Sequence, residues 1–191
     1  MKKLALGMIM VLLTSCGMQS IPTAKNEVEA KWAEVQNQFK RRSDLIPNLV
    51  STVKGYASHE KETLQAVVEA RAKATSVNIK PENLNQATMD KFSKAQGGLS
   101  SALGRLMVVV EKYPNLKANA NFRDLQVQLE GTENRITVAR NRYIESIKVF
   151  NNLITVPPTS WYNSMFLKES KKPQFQVANL KEVENAPEVK F

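Results

Sequence analysis

The sequence predicts an all-α protein: an antiparallel four-helix bundle with long helices, preceded by an N-terminal signal or anchor segment. Three observations carry this. Phe122, Leu129, Ile136, Tyr143 and Phe150 recur every seven residues, and Leu125, Thr132, Ala139, Ser146 and Leu153 follow three residues after each. Asn121–Val156 therefore carries one continuous seam along a helix roughly 50 Å long at 1.5 Å per residue. A polar-flanked helix of that length needs partners of similar length beside it. With seven Gly, eight Pro and no Asn-Gly or Asp-Gly pair in 191 residues, the chain is also poor in hairpin turns.

The chain opens with basic Met1-Lys2-Lys3 and a ten-residue apolar run, Leu4 to Leu13. A bilayer core of about 30 Å needs about 20 apolar residues, so this run is too short to cross one. A basic start, a short apolar stretch and small residues before a cut site describe an export signal. Leu13-Thr14-Ser15-Cys16 resembles the lipobox of bacterial lipoproteins, and Cys16 is the sole cysteine. Residues 1–15 are expected to be a lipoprotein-type signal peptide, Cys16 the lipidated residue and 16–24 a tether. A plain export signal with an incidental cysteine is the alternative.

The body, 25–156, is the expected bundle. Val28, Trp32, Val35 and Phe39 form one stripe of a first helix over Lys25–Arg42. Asp44 as N-cap and Pro47 in a first turn suggest a junction and a second helix from Leu45 to about Ala74, with one long helix kinked at Pro47 as the alternative. Ser76–Asn83 reads as a loop with Pro81 a possible helix start. A third helix runs to about Lys112 with Phe92, Leu99, Leu106 and Tyr113 spaced by seven, and Gln96, Leu103 and Val110 on the second seam. Gly97, Gly98 and Gly104 lie inside it, either letting two helices approach closely or marking a break at Gly97-Gly98. Tyr113-Pro114 ends it. Asn121 is expected to cap the fourth helix, and Pro157-Pro158 to stop it. Residues 157–191 have no period and are expected as an irregular tail.

The net charge of +9 is spread along every segment, and the only dense basic run is Lys40-Arg41-Arg42. Phosphate binding needs Lys and Arg clustered on one face, so no nucleic-acid partner is expected. Removing Lys2 and Lys3 from +9 leaves +7 from Cys16 onward, compatible with mild attraction to anionic head groups. His59 is the single histidine, and no second His follows four residues on. This excludes the zinc-protease helix, and no Gly-x-Ser-x-Gly elbow or phosphate-cradling Gly-rich loop is present. No cysteine pair is available, and the Glu-x-x-His repeats of a di-iron bundle are missing. No catalytic residue, metal site or cofactor is therefore expected. Glu60, Arg71, Glu133 and Arg140 are candidates for a polar layer between helices, which would fix register.

Several longer runs rise above generic helix. They are Arg41-Arg42-Ser43-Asp44-Leu45-Ile46-Pro47-Asn48-Leu49-Val50, Val53-Lys54-Gly55-Tyr56-Ala57-Ser58-His59-Glu60, and Glu111-Lys112-Tyr113-Pro114-Asn115-Leu116-Lys117-Ala118. With Ala70-Arg71, Thr132-Glu133-Asn134-Arg135-Ile136, Ala139-Arg140 and the ending Ala186-Pro187-Glu188-Val189-Lys190-Phe191, they resemble the LemA family of bacterial proteins. At Tyr143-Ile144 the family pattern has Tyr-Asn. The resemblance implies an all-α antiparallel four-helix bundle, membrane-anchored at its N-terminus, and brings no catalytic residues with it. Many members carry a full transmembrane helix where this chain has ten apolar residues and Cys16.

The function expected is that of a non-enzymatic, lipid-anchored protein of the bacterial cell envelope, its bundle outside the cytoplasm, acting as a scaffold or interaction module for an unknown protein partner. A docking surface is expected around Arg41, Arg42 and Tyr113. Alternatives are a binder of anionic lipid or cell-wall polymer, and an enzyme using the Glu60, Arg71, Glu133 and Arg140 group.

Overall fold

The computed structural model describes residues 19–175. Among them there is no strand, so the all-α class holds. The helices are α1 (Ser20–Tyr56), α2 (Lys61–Ser76), α3 (Gln86–Val110), α4 (Pro114–Ala118), α5 (Ala120–Thr155) and α6 (Thr159–Tyr162). A 3₁₀ turn at Pro81–Asn83 precedes α3, and a π turn at Asn163–Leu167 follows α6. The expected signal peptide and Cys16 lie outside the described residues.

The chain forms two compact units, one from the chain up to Arg42 with Gln128–Pro173, the other from Ser43–Val127. In the first unit, α1 and α5 run antiparallel. Lys25 bonds Glu169 beyond the end of α5, Glu34 bonds Arg142, and Arg42 bonds Glu133, so partners fall in number as α1 advances. Between them the Trp32 and Tyr143 rings meet at 5.4 Å, tilted by 50°. Val28, Trp32, Val35 and Phe39 are all buried, as are Leu129, Ile136, Tyr143 and Phe150. The seven-residue spacing thus marks the interior face of α5.

α1 begins at Ser20 rather than Lys25. Ile21 and Ala24 are buried and extend the apolar stripe backward from Val28, while Pro22 sits in the first turn, where its missing N–H is harmless. Ser20–Ala24, expected in the tether, are therefore helical. After Pro157-Pro158 the chain is not wholly irregular: α6 and the π turn form, and the Asn163 side chain bonds both the N–H and the carbonyl of Glu169. The following stretch returns along α5, with Lys172 N–H on Asn151 Oδ1 and the Tyr143 hydroxyl on the Pro173 carbonyl.

In the second unit, α2 and α3 pack against each other and run antiparallel. The buried Gln96 of α3 donates to the Ala74 carbonyl near the end of α2, and Tyr113 after α3 reaches Glu60 before α2. Asn85 rather than Pro81 starts α3: its side chain accepts from Thr88 N–H while Thr88 Oγ1 accepts from Asn85 N–H. Asn119, not Asn121, caps α5 by accepting from Phe122 N–H. A methyl group added at Gly97, Gly98 or Gly104 would meet nothing within 4 Å, so these glycines do not serve a close helix approach, and α3 runs through them unbroken.

The expected junction at Ser43–Pro47 is instead the interior of α1, which continues to Tyr56. Proline here withholds the N–H that the Ser43 carbonyl would accept from four residues on. Arg71 Nε of α2 donates to that carbonyl at 2.8 Å. The break falls later, at Ala57–Glu60, where Ala57 N–H bonds the Val53 carbonyl and Glu60 N–H the Ala57 carbonyl.

Candidate functional site

Arg42 lies three residues after Phe39, which places it on the same interior face of α1. It is only 2% exposed. Its guanidinium lies over the Phe39 ring, 5.1 Å from the centroid, and donates from Nη1 to Glu133 Oε1. An internal arginine needs such compensation, here from a carboxylate and an aromatic face. Of the expected docking residues in this stretch, Arg41 is exposed and Arg42 is turned inward.

The expected polar layer is distributed as follows. Glu133 pairs with Arg42, Arg71 donates to the Ser43 carbonyl, and Glu60 accepts from the Tyr113 hydroxyl at 3.0 Å. Arg140 is half-buried on α5. Glu60, Arg71 and Glu133 thus each engage a group outside the four. Tyr113, expected on a docking surface, is half-buried and tied to Glu60, which holds its hydroxyl above the ordinary phenol range. Beside it in the same unit, Asn119 Nδ2 donates to the Tyr56 hydroxyl at 2.9 Å. Two junctions, Tyr56–Glu60 and Tyr113–Asn119, are therefore joined by two phenols.

In the first unit, burial raises the Tyr143 hydroxyl far above its ordinary value. Its hydrogen bond to Glu169 raises Lys25, with the carboxylate's charge adding to the effect. The first turns of α1 and the last turns of α5 leave an open groove of about 810 Å³, lined by Ser20, Thr23, Glu27 and Lys31 facing Glu145 and Val149. Sequence reasoning missed three features. These are the Ser43–Arg71 bond, whose only local trace is Pro47, the cap role of Asn119, and the exposed cluster of Trp161, Met165 and Phe166.

Among the described residues, no group of three His, Cys, Asp or Glu side chains could hold a metal ion, and no helix is long and apolar enough to cross a membrane. The class defined by fold and site is an all-helical protein whose inward-facing charges and phenols are spent on its own helix contacts and junctions. The chain belongs to the LemA family, which it matches over residues 31–191. It is 26% identical over 170 residues to magnetosome protein MamQ 2 of Paramagnetospirillum magneticum, a match covering 80% of this chain and 62% of that protein. Magnetosome protein MamQ of Magnetospirillum gryphiswaldense is 26% identical over 153 residues, covering 71% and 56%. Protein LemA of Metamycoplasma hominis is 25% identical over 146 residues, covering 75% and 61%. The chain spans about six tenths of the length of the curated relatives it matches.

Proposed function

We propose that the protein is a non-catalytic lipoprotein of the bacterial cell envelope, held to a membrane by acyl chains on Cys16, with its helical body outside the cytoplasm as a scaffold for other proteins. The observation that carries this is the distance between anchor and fold. Helical structure starts at Ser20, four residues after Cys16, with Ile21 already buried. Lipid at Cys16 would hold that end of α1 against the bilayer, and several acyl chains are needed for a stable hold. The inward-facing polar groups support a scaffold rather than a reaction centre, because the contacts of Arg42, Arg71 and Tyr113 serve helix packing and junctions. Wild type and Cys16→Ser, expressed with labelled palmitate and fractionated, provide the test. Label and membrane retention in wild type, both lost in the variant, are the expected result. An unlabelled wild type, or a variant that stays in the membrane fraction, overturns the anchor.

A second reading, binding of anionic lipid or wall polymer, is favoured by the charge of +7 left when Lys2 and Lys3 are removed from +9. It predicts binding to anionic vesicles that weakens steeply with salt, and a flat salt response rejects it.

A further inference from the structure

We infer that Trp161, Met165 and Phe166, flanked by Lys168 and Lys171, form a second, shallow membrane contact seated at the boundary between head groups and acyl chains of an anionic bilayer. The inference rests on the tethered reading above and assigns it a surface. Trp161, Met165 and Phe166 are 65%, 67% and 70% exposed, and they lie within six consecutive residues. The other large exposed apolar side chains described are single valines and Tyr56. Trp161 and Met165 stand four residues apart on one helical side, and the Phe166 ring is fixed against Tyr162, 5.1 Å between centroids.

The exposed charged residues beside this crest, Lys168 and Lys171, are both basic. Glu169 is the one acid among residues 157–175, and it is engaged by Lys25 at 2.5 Å and Lys172 at 4.0 Å. Lys168 and Lys171 are exposed and have no carboxylate partner among the described residues. Lys168 also closes the π turn with φ 53°, a left-handed position where Gly or Asn would be relaxed. Tryptophan and phenylalanine at a helix end beside lysines is the composition of a membrane interface.

Position supplies the occupant. The Lys25–Glu169 pair sets this segment beside the first turns of α1. The chain ahead of that helix holds the Leu4–Leu13 apolar run and Cys16. Ser20 follows Cys16 by four positions, and an extended chain covers at most about 14 Å over that length. A bilayer holding Cys16 is therefore within reach of the end of the unit that carries the crest.

Only Trp32 and Trp161 are present, and Trp32 is fully buried, so the difference in emission between wild type and Trp161→Phe isolates Trp161. The full chain, reconstituted into phosphatidylcholine–phosphatidylglycerol vesicles with brominated acyl chains, is read by flotation and by fluorescence. The expected result is flotation with roughly twofold or greater quenching of the Trp161 component, as for an indole at the interface. Met165→Ser with Phe166→Ser, both exposed positions, should float equally and lose the quenching. Flotation without quenching overturns the contact and leaves the tether standing. Quenching that persists in Cys16→Ser, which cannot carry the lipid, supports the contact as one that holds without the tether. Absence of both flotation and quenching in wild type overturns both. A blue shift of Trp161 that grows with protein concentration and ignores brominated lipid assigns the crest to a second copy instead, and overturns the inference.

Discussion

Arg71→Met, measured alone and with Pro47→Ala, tests why α1 passes through a proline without ending. In the native chain the Ser43 carbonyl receives nothing from Pro47 and accepts from Arg71 Nε at 2.8 Å instead. Ser43 is 2% exposed, so water is a poor substitute. A hydrogen bond from a charged donor is worth about 1.5–3 kcal/mol, and a buried orphan acceptor costs about 1–3 kcal/mol; the two overlap. Arg71 is half-buried, which puts the loss for Arg71→Met near the lower end, about 1.5–2 kcal/mol. Pro47→Ala restores an N–H to the Ser43 carbonyl and removes the ring clash, a gain of up to about 3 kcal/mol. In that background Arg71→Met leaves no orphan, and its cost should fall to about 0.5 kcal/mol. The expected coupling of about 1–1.5 kcal/mol is read from urea midpoints followed by far-ultraviolet circular dichroism. Costs for Arg71→Met that agree within about 0.5 kcal/mol in the two backgrounds would refute the compensation.

Two further outcomes concern the exposed side of α3 and the buried Tyr143. Ala at Gly97, Gly98 or Gly104 has open space for its methyl group, and none of these residues has positive φ, so each change should stabilise by about 0.5–1 kcal/mol. A lower melting temperature for any of the three would mean that its Cβ meets something the structure lacks. Tyr143 is held protonated by burial while its unfolded counterpart ionises near 10.0. The unfolded state therefore binds fewer protons above that pH, and stability should fall with rising pH by about 1.4 kcal/mol per unit from this residue. Tyr143→Phe should flatten that decline in urea titrations across the alkaline range. A smaller slope remains, because Tyr113 and Lys25 are also raised and lose their contributions in the same direction. An unchanged slope in Tyr143→Phe would show that burial does not control the hydroxyl.

The interior faces were legible because burial follows spacing. Every residue of the Phe122 to Phe150 series is buried, and so is the stripe from Val28 to Phe39. Extending that stripe by three more residues reaches Arg42, so its inward turn was readable too, had charge not argued for the surface. The path of α1 through Pro47 was read only as the alternative to a junction, since the donor that compensates the proline lies 28 residues away on another helix. The true break at Ala57–Glu60 carries no proline, and its ties come from Tyr113 and Asn119, more than 50 residues on. The polar quartet expected as one layer does not meet as one: Glu60, Arg71 and Glu133 engage Tyr113, Ser43 and Arg42, because a periodic pattern gives a side chain's direction and not the atom it meets. The exposed crest at Trp161 carried a signal in its aromatic density, which has no period because it serves no core.

The two phenol ties bear on the order in which the second unit assembles. Helices α2 and α3 are sequence neighbours, and zipping them from the loop that joins them closes short segments first. Tyr113 to Glu60 and Asn119 to Tyr56 close 53 and 63 residues, at the far end of that zipper. Ties of this kind form after the folding barrier, so Tyr113→Phe should quicken unfolding and leave the folding rate nearly unchanged; a slowed folding rate would contradict this order. On this account the phenols act as a latch on the unit's lifetime, fastened after the helices have already found each other.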